Sequence, residues 1–153
     1  EKVPANPVEL VDKLGFDAVT SYVWIHHVPL NDTPQTEFLQ VRDKYMEYWT
    51  QAESQFKVPY YPNVSMGWDS SPRAHQDDPH GNFGYPFTNC IKNNTPEAFK
   101  EALKMTRERL SNRPPLQRIF NINCWNEWTE GSYLEPDTVN GMKYLEAVRD
   151  SAK

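Results

Sequence analysis

Glu127 and Glu130 stand three residues apart, bracketed by Trp125 and Trp128. They lie in Asn121–Asp137, NINCWNEWTEGSYLEPD, with a third acid at Glu135 and asparagines at 121, 123 and 126. Carboxylates do acid/base work. Two of them flanking a glycosidic bond are what sugar chemistry needs, and indole faces stack on the apolar faces of pyranose rings. The apolar run Ile119–Ile122 leads into the stretch, Gly131 interrupts it and Pro136 closes it. The competing reading is structural: glutamates at a strand end are usually solvated or salt-bridged, and the two tryptophans could simply roof a core. Spacing alone does not give the separation of the two carboxylates, so it does not give the stereochemistry of any reaction they perform.

The elements that must position these residues follow from periodicity and capping. Asn6-Pro7-Val8-Glu9 predicts a short helix closed by Gly15. Phe16–Trp24, β-branched and aromatic, predicts a strand. Thr33-Pro34 predicts the start of a second helix with Phe38, Val41, Tyr45, Trp49, Ala52 and Phe56 on one face. A second strand is expected over Val58–Met66, and then a long polar loop, Ser70–Asn94, of the length that usually carries function. That loop holds or adjoins Trp68, Asp69, Arg73, His75, Tyr85 and Phe87. Thr95-Pro96-Glu97 caps a third helix with Phe99, Ala102, Leu103, Thr106 and Leu110 inward, stopped at Asn112–Pro115. The third strand, Arg118–Asn126, delivers the acidic motif. Asn140-Gly141 opens a last helix with Met142, Leu145, Val148 and Ala152 inward.

Strands alternating with amphipathic helices mean an α/β fold with a parallel sheet. No GxGxxG or P-loop follows any strand, so a nucleotide-binding sheet has no support. The chemistry-bearing residues gather after strand ends: Trp24 and His26, Trp68 and Asp69, Glu127 and Glu130. That arrangement points to a (β/α)8 TIM barrel, whose site lies at the C-terminal mouth of its strands. Three strands cannot close a barrel, which takes about 200–250 residues. The 153 residues therefore read as the C-terminal part of one catalytic domain without internal boundary. They supply its last three β/α units and a preceding helix, and the opening Glu1-Lys2-Val3-Pro4 reads as an internal cut. The partners expected are the N-terminal strands of the barrel and a glycan or polysaccharide.

The net charge of −5 without a basic block argues against nucleic acid. No apolar run is long enough to span a membrane. Cys90 and Cys124 form no metal or redox motif and are expected as two separate thiols. His75, Asp77, Asp78 and His80 crowd into six residues, but nothing fixes their spacing, so a solvated loop is favoured and no metal or cofactor is expected.

By strand parity, Ile119, Asn121, Asn123, Trp125 and Glu127 point one way, and Phe120, Ile122, Cys124 and Asn126 the other. The first set suits a polar interior rising to a mouth, the second suits packing against helices. Tyr22 and Trp24, ending the first strand, are candidates for sugar contact or for packing, and Tyr22 could also bond a catalytic carboxylate. Trp68 and Asp69, ending the second, are candidate substrate contacts. Arg73 could hold an acidic sugar or pair with a nearby acid. Of His26 and His27 one could touch sugar. Glu135 is either a third site acid or, as favoured here, a loop anchor.

The blocks Trp125-Asn126-Glu127-Trp128-x-Glu130-Gly131 and Leu134-Glu135-Pro136 closely resemble the signature of glycoside hydrolase family 99-like proteins. These include endo-α-mannosidases and the WbsX-type proteins of bacterial polysaccharide clusters. Gly15-Phe16-Asp17-Ala18 with Tyr22, and Val64-Ser65-x-Gly67-Trp68-Asp69-x-x-Pro72-Arg73, resemble further blocks of the WbsX-type branch. The resemblance implies a retaining (β/α)8 glycosidase acting on α-linked sugars. It implies Glu130 as general acid and later base. It implies Glu127 as the base that frees the 2-oxygen to form a 1,2-anhydro sugar. Tyr22, Trp24, Trp68, Asp69, Arg73, Trp125, Asn126 and Trp128 would line the substrate site. Thr129 departs from the mannosidases, where a histidine is common, and that bears on the substrate more than on the chemistry. Two rival readings stay open. One is a glycosyltransferase of surface-polysaccharide assembly, the label the WbsX branch carries, although the chain has no DxD motif. The other is a non-catalytic carbohydrate-binding protein.

Overall fold

A computed structural model describes residues 6–79, 81 and 83–152. The chain start at 1–4 and His80 lie outside the described residues. Helix α1, Pro7–Leu14, begins where Asn6 caps it, its Oδ1 accepting from the Val8 amide at 2.9 Å. It ends at Gly15, which takes the left-handed conformation at φ 69°. No side chain of α1 is fully buried. Strand β1 is only Val19–Thr20, much shorter than the predicted Phe16–Trp24. The reason is Trp24. It starts a 3-10 turn, Trp24–His26, that swings its ring into the core, where Nε1 donates to the Asn63 carbonyl at 2.8 Å.

The second helix also begins later than its proline suggests. Gln35–Glu37 form strand β2, and α2 runs Phe38–Gln55. The backbone of 35–37 is committed to a parallel ladder with a later strand, so it cannot open the helix. The apolar face is the expected one: Phe38, Val41, Tyr45, Trp49 and Ala52 are buried. Pro62 divides the next strand into β3, Tyr60–Tyr61, and β4, Asn63–Ser65, because proline offers no amide to a ladder. The partner of β2 is β5, Cys90–Lys92, a strand inside the segment expected to be loop.

Helix α3, Pro96–Ser111, is capped by Thr95 Oγ1 accepting from Ala98, and it buries Phe99, Ala102, Leu103, Thr106 and Leu110 as its periodicity requires. Strand β6, Asn121–Asn123, follows, then β7, Asn126–Glu127, and β8, Ser132–Tyr133. Helix α4, Lys143–Ser151, presents Tyr144, Ala147 and Ser151 to the core, with Val148 packed beside them. The expected inward set is thereby corrected: Met142 is exposed and precedes the helix. Tyr144 decides the rotation, since its ring packs edge-on against Phe99 at 5.7 Å and its hydroxyl donates to the Asn94 carbonyl.

Strand β1 pairs parallel with β3, Val19 beside Tyr60, and β4 pairs parallel with β6, Val64 beside Ile122. The three predicted strand regions are thus neighbours in chain order, all running the same way. Phe120 and Ile122 pack against the core, as parity predicted for that set. The core joins Trp24, Phe38, Val41 and Tyr45 to Val64, Phe99 and Leu103. Cys90 and Cys124 are both free thiols.

Candidate functional site

The acidic motif folds as a hairpin. Strands β7 and β8 pair antiparallel, Glu127 opposite Ser132, and the residues between them form a 3-10 turn, Trp128–Glu130, closed by Gly131 at φ 61°. A 3-10 turn repeats every three residues, so side chains at i and i+3 eclipse. Glu127, at the end of β7, stands just outside that repeat. It and Glu130, at the end of the turn, nonetheless lie on one side, since both reach Arg73 Nη2. A side chain at 131 would meet Asp69 Cβ at 2.9 Å, so the hairpin seats directly on the loop after β4. The Asp69 amide completes the seat by donating to the Glu130 carbonyl at 2.8 Å.

Four side chains converge on the two acids. Glu130 is buried. Its Oε2 accepts from the Tyr22 hydroxyl and its Oε1 from the Tyr85 hydroxyl, each at 3.2 Å. Glu127 Oε1 accepts from Arg73 Nη2 at 2.7 Å and from Thr129 Oγ1 at 2.9 Å. Arg73 Nε in turn donates to Thr129 Oγ1 at 2.8 Å. The same Arg73 Nη2 lies 3.6 Å from Glu130 Oε1. The two contacts, 2.7 and 3.6 Å, share one nitrogen, so the two Oε1 atoms stand no more than 6.3 Å apart.

The electrostatics follow from these contacts. The Thr129 hydroxyl and then the Arg73 guanidinium hold the Glu127 carboxyl below the usual carboxylate range. Burial and the neighbouring Glu130 push the Tyr22 phenol up to about 12, so it stays a donor. Burial and its bond to Glu130 raise Tyr85 as well.

Tyr22 is half exposed because Ser21 and Val23 on either side turn inward. Arg73 closes a 3-10 turn, Ser71–Arg73, that Asp69 initiates by accepting from the Ser71 amide at 2.9 Å. Asp69 therefore shapes the turn that carries Arg73. Trp125, Asn126 and Trp128 are exposed beside the acids. One face of Trp128 is covered by Tyr133, stacked at 3.7 Å, and its Nε1 donates to Glu135 Oε2 at 2.6 Å. Glu135 is thus the anchor that orients an indole.

Two expected sugar contacts are corrected. Trp24 has no exposed surface, and Trp68 is buried with its Nε1 donating to Thr88 Oγ1 at 2.8 Å. Neither ring offers a face to a ligand. His27 is also packed away, stacked on Tyr48 at 4.0 Å, and burial lowers its pKa to about 4. His75 is exposed, and among the described residues no group of three or more His, Cys, Asp or Glu is arranged to hold a metal ion. Tyr85 and Thr129 are site residues that sequence reasoning did not assign. The long loop containing Tyr85 was a signal without a position, and Thr129 stood out only as a departure from a pattern.

Two cavities near the hairpin and the long loop lie off the acids. One of about 230 Å³ sits behind Gly131, between Met66, Asn94, Tyr133 and Tyr144. Another of about 380 Å³ lies within the long loop, bordered by Ser71, His75, Asp78 and Phe87. Glu127 and Glu130 lie outside both.

The family profile described as Glycosyltransferase WbsX matches residues 11–148, nearly the whole chain and every element that builds the hairpin and its seat. The chain belongs to the WbsX family. By that description it is a family of carbohydrate-active proteins. The chain is also similar to the uncharacterized protein WxcX of Xanthomonas campestris pv. campestris, in strain B100 and in strain ATCC 33913. Identity is 36% over 92 residues in each case. That match covers 60% of this chain and 12% of either relative, so the chain spans only a small part of their length. No solved structure matches the chain. Among the described residues no helix is long and apolar enough to cross a membrane.

Proposed function

We propose that this WbsX-family chain carries the acid/base half of a retaining glycosidase acting on an α-linked glycan or polysaccharide. The observation that carries the reading is the shared contact of Arg73 Nη2, which keeps the Glu127 and Glu130 oxygens within 6.3 Å. One nitrogen in reach of both carboxyls puts the two acids at a single reacting bond. Retention is what the resemblance to family 99-like hydrolases implies, with the sugar 2-oxygen as the nucleophile.

In the proposed reaction Glu127 takes the proton of the sugar 2-hydroxyl, and the freed oxygen attacks the anomeric carbon. Glu130 gives its proton to the leaving oxygen, producing a 1,2-anhydro sugar. Glu130, now a carboxylate, then takes a proton from water as that water opens the three-membered ring. Glu127 returns its proton to O2. These roles rest on the resemblance to family 99-like hydrolases, and Tyr22 and Tyr85 fit them by orienting the two oxygens of Glu130. Exposed Trp125 and the free face of Trp128 supply stacking surface at the same rim.

The site as described is open on one side, and the proposed complement is a set of upstream β/α units that close a (β/α)8 barrel. Three observations support that. The strand regions run parallel and adjacent in chain order. Phe16 and Ile119 are half exposed beside them, and α1 lacks a buried residue. A glycosyltransferase is the second reading, favoured by the family's own description. Glu130→Gln in the full-length protein separates the two. A hydrolase loses turnover of an α-glycan panel and keeps binding it. Turnover that requires a nucleotide-sugar donor, and not water, overturns the hydrolase reading.

A further inference from the structure

Arg73 is, among the described residues, the cation in contact with the two acids, and it touches both through one nitrogen. An arginine there is out of place for the chemistry just proposed. It occupies the gap between acid and base, where the C1–C2 unit of a sugar would lie. It also favours two negative charges where the acid must carry a proton. We propose that Arg73 is a removable counter-ion: in the ligand-free protein it keeps Glu127 and Glu130 both ionised, and when a bound sugar displaces it the pair takes up one proton from solvent. The proposal rests on the glycosidase reading for its sugar and on the geometry for the rest.

The contacts favour exchange. The Arg73 and Glu127 side chains are each about one-third exposed, at 37% and 33%, and ion pairs of that exposure are weak. Arg73 is also carried on a short turn held by Asp69. A sugar hydroxyl can replace each of its hydrogen bonds without replacing its charge. Once the guanidinium leaves, two carboxylates within 6.3 Å face each other without a positive partner. Like charges so placed cannot both ionise cheaply, and the pair titrates in two separated steps.

The other groups facing the pair do not substitute for the lost charge. Tyr22 and Tyr85 donate as neutral phenols, one from the segment after β1 and one from the long loop. Thr129 donates from the hairpin. Asp69 beneath the turn and Cys124 near Tyr22 add no positive charge. Glu135, on the far side of Trp128, is occupied with the indole. The proton that the leaving oxygen needs therefore enters as Arg73 goes out, which couples arming of the acid to occupancy of the site.

Isotope-edited infrared titration of the full-length protein, with ¹³C-labelled glutamate carboxyls, reads the state of the pair without a substrate. Arg73→Gln should add a protonated-carboxyl band whose midpoint lies at least about tenfold in proton affinity, roughly one pH unit, above any wild-type step of the pair. Arg73→Lys should remove that band, and Arg73→Gln combined with Glu127→Gln should remove it too, because the like charge is gone. Absence of the band in Arg73→Gln, or its survival in the Glu127→Gln double variant, overturns the proposal. In the wild type, an α-linked oligosaccharide that binds should bring up the same band. A sugar that binds without it overturns the displacement. If Arg73→Gln shows the band while no sugar in the panel binds, the glycan reading falls and the counter-ion role stands.

Discussion

Gly131→Ala puts the seating of the acidic hairpin to a quantitative test. Two costs are separable at this position. The first is the left-handed backbone, φ 61°, which a Cβ penalises by about 1–2 kcal/mol. The second is contact: an added Cβ would stand 2.9 Å from Asp69 Cβ and 3.0 Å from its amide nitrogen, both stiff neighbours. Overpacking of that kind costs about 1–3 kcal/mol. Gly15 and Gly141 provide the control, with φ 69° and 58° and nothing within 4 Å. Their alanine variants should carry the strain alone. The expected cost is therefore about 2–5 kcal/mol at 131 and about 1–2 kcal/mol at 15 or 141. Hydrogen exchange of two amides reads the local opening: Asp69, bonded to the Glu130 carbonyl at 2.8 Å, and Leu134, bonded to the Trp125 carbonyl at 2.9 Å. Both should exchange at least about fivefold faster in Gly131→Ala than in Gly15→Ala. Equal exchange in the two variants would mean that the hairpin does not rest on Asp69, and the placement of Glu130 against Tyr22 and Arg73 would lose its foundation.

Three further outcomes are expected. Trp24→Ala should destabilise the fold by about 3–5 kcal/mol, because the ring is wholly buried against Phe38 and Tyr45. A melting temperature close to wild type would return Trp24 to the list of sugar contacts. His27 is held neutral by burial, its pKa lowered to about 4. Its stabilising share is complete above the unfolded value of about 6.5 and shrinks as pH falls toward the folded one. Urea midpoints of wild type should fall between about pH 6.5 and 4, and His27→Gln should flatten that slope. Thr129→Val removes the hydroxyl that most lowers Glu127. The depressed carboxyl adds stability above its unfolded pKa of about 4.3, lost as pH falls through the folded value. The valine variant should show a shallower acid limb that is complete at a higher pH, and an unchanged acid limb would show that Arg73 alone sets Glu127.

Helix ends were legible because their signals are local. Asn6-Pro7 and Thr95-Pro96 cap α1 and α3 where the sequence places them. The strands were legible as regions, not as lengths. Alternation through Ser21, Tyr22, Val23 and Trp24 puts Tyr22 and Trp24 on one face, yet a 3-10 turn starting at Trp24 breaks the parity and buries the indole. Strand β5 was hidden because three residues are too few for periodicity, and its partner β2 carried helix-start chemistry at Thr33-Pro34. The acids themselves were the most legible part of the site. Their partners were not, because Tyr85 and Arg73 reach them across 45 and 54 residues of chain, a pairing decided by the path of a loop.

Thr129 shows how a departure from a family pattern acquires a physical role. Its hydroxyl accepts from Arg73 Nε and donates to Glu127 Oε1. A hydroxyl can do both at once, with one hydrogen to give and lone pairs to receive. A neutral imidazole could also accept and donate, but through two nitrogens on opposite sides of a rigid ring, which would hold an arginine and a glutamate farther apart. The small bridging side chain is what lets the guanidinium reach Glu127 through Nε–Thr129 and Nη2 together and still touch Glu130. In the proposed reaction Arg73 and Thr129 are therefore one device. A chain with histidine at 129 would need a different counter-ion arrangement, and Thr129→His in this protein should loosen Arg73 from the pair. The infrared band predicted for Arg73→Gln should then appear, at a midpoint between those of wild type and Arg73→Gln. No band in Thr129→His, with Arg73→Gln showing one, would mean that the guanidinium holds its place without the hydroxyl.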